Sequence, residues 1–191
     1  MDITSFLIYC MIATFTPGPT NIVILSTANN FGTKKAMKYT YGATVGFGLL
    51  LIISAMLNTI LITIMPKITI VMQIIGTVYM FYLAFKIYKM DASNQTVNQT
   101  ATFISGFLAQ FVNPKVVLFT LTVIPSFIMP HYSSSPAVTI SIIVITVIGF
   151  LAFVTWVLFG KIFKLFLQKY NKIVNVLMAL CLAYAAIMIW M

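Results

Sequence analysis

Long apolar runs separated by short polar interruptions dominate the chain. Runs at about 3–25, 39–64, 68–88, 102–128, 137–160 and 172–190 each supply the roughly 20 mostly apolar residues that one helix needs to cross a bilayer core. The pattern predicts an all-α integral membrane fold of six transmembrane helices. The connections are short, and none is both polar and long enough to build a second core. Residues 1–191 are therefore expected to form one membrane domain. The first run begins at Ile3 without a positively charged segment before it and continues too far for a cleaved leader, so it is expected to remain as helix one.

Two of the runs are broken at their polar interruptions. In helix one the sequence Thr16-Pro17-Gly18-Pro19-Thr20-Asn21 places two prolines, which lack an N–H, around a glycine that loosens the backbone. Helix four carries Gln110-Phe111-Val112-Asn113-Pro114-Lys115, again polar groups at a proline. Unpaired backbone facing lipid costs several kcal/mol, so such breaks persist where they are buried in protein or line a watered cavity. They occupy corresponding places in two stretches of three helices, about 1–90 and 102–191, joined by the polar segment at about 91–101. An odd number of helices per half makes the halves enter the membrane from opposite sides. That is the inverted repeat of many secondary transporters, whose binding site lies between discontinuous helices. Ordinary proline kinks are the plainer account of either break alone.

Composition agrees with lipid as the solvent: 61% of residues are hydrophobic, 7% are charged, and the mean hydropathy is +1.07. Charge adds an orientation. Lys34, Lys35 and Lys38 fall in the first connection, Lys86 and Lys89 in the third, and Lys161, Lys164, Lys169 and Lys172 in the fifth, while the opposite side holds only Lys67. The positive-inside rule then puts the odd-numbered connections in the cytoplasm and both termini outside the plasma (inner) membrane. Lysines beside anionic lipid headgroups account for the net charge of +9, and no nucleic-acid partner is implied.

The candidate chemistry gathers at the two breaks. N–H groups freed after a proline, at the start of a half-helix, suit a carboxylate, with Asn21, Gln110 and Asn113 as further hydrogen-bonding groups. Lys115 is the one lysine inside a predicted span, and an intramembrane ammonium usually has a functional partner. Either it pairs with a substrate carboxylate or its stem carries it to an interface or cavity mouth. Cys10 and Cys181 fall in predicted helices that are not equivalent in the two halves. They form no metal or redox motif, and an intramembrane thiol oxidoreductase would need them to meet. His131 stands without nearby Cys, Asp or Glu, and no metal or cofactor is called for. No catalytic constellation is present. Gly42 and Gly46, at small-xxx-small spacing, are expected to let helix two pack closely against a neighbour in the chain or in a homodimer.

The Thr16–Asn21 break, the Asn113-Pro114-Lys115 motif, Gly42-Ala-Thr-Val-Gly46 and Gly76-Thr-Val-Tyr79 followed by Tyr82-Leu-Ala resemble the LysE/RhtB family of amino-acid exporters across essentially the whole chain. Leu108–Asn113 and the C-terminal run from Trp156 are most similar to the cysteine/O-acetylserine branch. The resemblance implies export of small amino acids, cysteine and O-acetylserine or neutral ones like homoserine and threonine. It further implies coupling to a proton or ion, with Thr16, Pro17, Gly18, Pro19, Thr20, Asn21, Gln110, Asn113, Pro114 and Lys115 as the substrate site. Many relatives place an acid shortly after the helix-two glycines, where this chain has Phe47-Gly48-Leu49. The chain's only acids are Asp2 and Asp91, so a buried carboxylate relay is missing. A non-transporting membrane assembly subunit is the remaining alternative.

Overall fold

The computed structural model describes residues 3–89, 101–129, 131, 135–163 and 169–188. The expected linker at 91–101 lies outside them except for Ala101, as do Asp2, Asp91 and Lys164. The described residues form an all-α fold. Helix α1 covers Ile3–Phe15, α2 Pro19–Phe31, α3 Thr33–Met56, α4 Asn58–Tyr88, α5 Phe103–Val112, α6 Pro114–Val123, α7 Ser135–Ile162 and α8 Asn171–Met188. One wide π-helical turn, Ile124–Ile128, extends α6.

Both predicted breaks are present. α1 and α2 meet at 50°, α5 and α6 at 67°, and each second half-helix starts on its proline, Pro19 or Pro114, where the missing N–H is harmless. Among the described residues, α3 and most of α7 are long and apolar enough to cross a membrane, and each bent pair adds a span if its halves count as one. The two remaining predicted spans correspond to α4 and α8, whose apolar stretches are shorter, Ile74–Tyr88 and Lys172–Tyr184.

The boundaries around α3 differ from expectation. The predicted first connection with its three lysines shrinks to Gly32, whose φ of 85° suits a residue without a Cβ, and Lys34, Lys35 and Lys38 ride on the start of α3. The connection expected at Pro66-Lys67 is helical. The chain turns instead at Leu57, and α4 runs through Pro66. Proline removes one ladder bond without forcing an end, and membrane helices tolerate that.

α3 crosses α5 so closely that glycine is required at the crossing. A Cβ on Gly42 would overlap the Phe103 carbonyl, one on Gly106 the Tyr39 carbonyl, and one on Gly46 would lie 2.7 Å from the Phe107 oxygen. The helix-two glycines therefore serve contact within the chain. α5 itself is started by a reciprocal cap between Thr102 and Ser105. α7 packs against α1, α2 and α3, and α4 packs against α8. Gly76 of α4 makes room for the Pro114 ring, 2.6 Å from where its Cβ would sit, so α4 supports the second break. One apolar cluster joins Phe6, Cys10, Phe47, Phe119 and Ile145 on one side of the breaks. Two others lie about α2, one with α4 and α8, one with α3, α5 and α7.

Gly42→Ala is expected to lower stability by about 1–3 kcal/mol through overpacking of backbone on backbone. Gly48→Ala, whose Cβ would meet only Thr146 at 3.4 Å, is expected to change little. Unfolding midpoints of the two variants in detergent check the difference.

Candidate functional site at the two helix breaks

The breaks face each other, and Thr20 is where they join. Its hydroxyl oxygen accepts hydrogen bonds from Asn113 Nδ2 at 2.9 Å and Gln110 Nε2 at 3.2 Å. All three residues are buried. Gln110 Nε2 also reaches the Gly106 carbonyl. Asn113 does a second job as the cap of α6: its Oδ1 accepts from the Lys115 N–H at 3.1 Å.

At the first break the carbonyls at the end of α1 have lost their helical partners, and side chains from three other helices supply donors. Asn21 Nδ2 donates to the carbonyls of Thr14 (3.1 Å) and Thr16 (2.8 Å). Trp156 Nε1 of α7 donates to the Phe15 carbonyl at 3.2 Å. The Lys115 ammonium reaches Thr16 twice, its carbonyl at 2.7 Å and its Oγ1 at 2.8 Å. The Thr16 hydroxyl in turn donates to the Ile12 carbonyl at 2.7 Å. The start of α2 is the opposite case. Gly18 caps it with no side-chain bond, so the N–H groups of Thr20 and Asn21 have no partner within the helix.

A small cavity of about 30 Å³ lies here, between Thr14, Gly18, Thr20, Asn21, Asn113 and Lys115 on its polar side and Ala13, Phe47, Val116, Phe119, Gly149 and Phe153 on its apolar side. That is room for an ordered water. Asn21 Oδ1 is buried without a protein partner, and its orientation is fixed because Nδ2 faces two carbonyls.

Of the ten residues expected at the site, Gly18, Thr20, Asn21, Asn113 and Lys115 line the cavity. Gln110 stands behind Thr20. Pro19 and Pro114 are buried as the first residues of their half-helices. Thr16 and Pro17 are exposed at the outside of the break, Thr16 holding the lysine. Lys115 is half-buried. Its ammonium rests on the end of α1, on the exposed Thr16. Gly18 does not serve as a backbone loosener, since its φ of −156° is extended backbone open to any residue. The apolar wall was missed. Gly149 leaves space for the Phe47 ring, 2.5 Å from where a Cβ would sit, and a glycine within an apolar span was its only signal. Cys10 is buried in the cluster with Phe6, while Cys181 is exposed on α8. Both thiols are free, and the oxidoreductase alternative finds no support.

The profile of the family described as LysE type translocator matches residues 11–191. A protein named cysteine/O-acetylserine efflux protein from Salmonella paratyphi A is 30% identical over 191 residues, covering 100% of this chain and 98% of its own length. Its namesake from Klebsiella pneumoniae is 31% identical over 189 residues, covering 98% and 96%. That from Escherichia coli K12 is 28% identical over 189 residues, covering 98% and 97%. No solved structure is significantly similar.

Thr20→Val is expected to leave the Asn113 and Gln110 amides short of a buried acceptor, at a cost of about 1–3 kcal/mol. A lowered unfolding midpoint for Thr20→Val, with Thr20→Ser close to the intact protein, checks it.

Proposed function

The chain belongs to the LysE type translocator family, and from that premise we propose that it is a secondary transporter exporting a small neutral amino acid from the cytoplasm, bound where the two broken helices meet. Cysteine and O-acetylserine are the favoured substrates, after the names of the relatives that match its whole length. One observation carries the site: Lys115, Thr20, Asn21 and Asn113 line one cavity at the start of α2, and Asn21 Oδ1 there is buried without a partner. A free amino acid is complementary to that set. Its carboxylate suits the start of α2 and the third N–H of Lys115, two being used by Thr16. Its ammonium suits Asn21 Oδ1. Its side chain then points to Phe47, Phe119 and Phe153, a wall with no group to neutralise a charged side chain. Thr16, Pro17, Pro19, Gln110 and Pro114 frame these contacts. An amino acid is larger than the cavity, so loading requires the half-helices to part.

The mechanism is alternating access by two inverted halves, about 1–90 and 102–191, six spans in all. The matched proline starts of α2 and α6 support it. So does the packing, since α3 lies on the span of the second half that is broken, as α7 lies on that of the first. Lysines at the ends of α3, α4 and α7 support an inner-membrane orientation with both termini outside. A cysteine placed at position 2 should react with an impermeant thiol reagent on intact cells, and protection of that position would refute this orientation.

Cells expressing the intact protein are expected to accumulate one small neutral amino acid outside. Asn113→Ala is expected to reduce export about tenfold at equal membrane levels, since a polar group inside a membrane site is rarely replaceable. Profiles identical to those of an empty vector would reject the export reading.

A further inference from the structure

The carbonyls at the end of α1 carry the partial negative charge of a helix C-terminus. Of the three side chains that meet them, Asn21 and Trp156 are neutral, and only Lys115 brings charge. Among the described residues, the partners of that ammonium are the oxygens at this helix end. In transporters built on broken helices, carbonyls freed at a half-helix C-terminus hold the coupling cation. Here the protein's own ammonium stands in that place, on Thr16 O at 2.7 Å and Thr16 Oγ1 at 2.8 Å. We propose that the end of α1 is a monovalent-cation site whose resident cation is the Lys115 ammonium, so that transport needs no free sodium or potassium.

Gly18 belongs to this site. A Cβ there would lie 3.0 Å from Lys115 Cδ and 3.3 Å from Nζ, while its backbone makes no demand for glycine. The lysine stem runs close along this glycine. The two ends of the first break thereby share one charge: the ammonium neutralises the end of α1 and stands beside the uncapped start of α2. Removing the lysine leaves the two Thr16 oxygens without the cation that they accept from. Methylammonium is the nearest mimic of what was lost, and sodium the alternative.

The transport readout rests on the export reading, and the binding readout does not. Purified intact protein and Lys115→Ala are unfolded thermally in choline chloride, then with methylammonium or sodium at the same ionic strength. The intact protein is expected to ignore the exchange, and the variant to gain about 2–4 °C from methylammonium or sodium, as binding to the folded state requires. In liposomes loaded with the exported amino acid, efflux by the variant is expected to fall about tenfold and to recover in the same cation. Lys115→Met, which keeps the stem and removes the charge, is expected to show the same cation response and serves if Lys115→Ala does not fold. A sodium requirement in the intact protein overturns the proposal, and so does a variant indifferent to every cation. Cation-dependent stabilisation of the variant without amino-acid efflux by the intact protein upholds the site and rejects the export reading. Efflux with no cation response does the reverse.

Discussion

A backbone group that leaves its helix inside a membrane must find its partner within the protein, because the surroundings offer none. The end of α1 is where this constraint acts most strongly, and the rest of the arrangement follows from it. The carbonyls of Thr14, Phe15 and Thr16 draw donors from α2, α6 and α7, elements brought together from both halves of the chain. Two of those donors, Asn21 and Lys115, also line the cavity. Satisfying the broken helix and assembling the site are one structural event.

The two breaks look alike in sequence and are unlike in electrostatics. At the second, Asn113 caps α6 with its oxygen and reaches Thr20 of the first break with its nitrogen. The first stays open at the start of α2 and borrows its charge from Lys115 on the other break. A site formed in this way is polar on one side only. Facing it are Phe47, Phe119 and Phe153, with the Phe47 ring seated against Gly149.

The breaks were legible because proline acts locally. It lacks an N–H wherever it falls, and Pro17 and Pro19 together, flanked by Thr and Asn in an apolar run, interrupt the ladder twice within one turn. The glycine pair of α3 was legible for a similar reason, though only the structure identified α5 as the partner. Pro66 shows the limit of the argument: the same residue type lies inside α4, while the turn sits at Leu57, where nothing in the composition marks it. Gly18 shows another limit, since the side chain beside it is Lys115, remote in sequence.

The sequence by itself determined the all-helical membrane class, the places where two helices break and the polar residues gathered there, because each is a property of a short stretch of chain. Only the tertiary structure decided which apolar side chains face the cavity. In lipid, outward and inward residues are both hydrophobic, so periodicity cannot separate Phe47, Gly149 or Phe153 from their lipid-facing neighbours. It also decided the partner of Lys115. A lysine stem reaches in many directions from its backbone, and which of them ends on orphaned carbonyls depends on where a helix from the other half of the chain comes to an end.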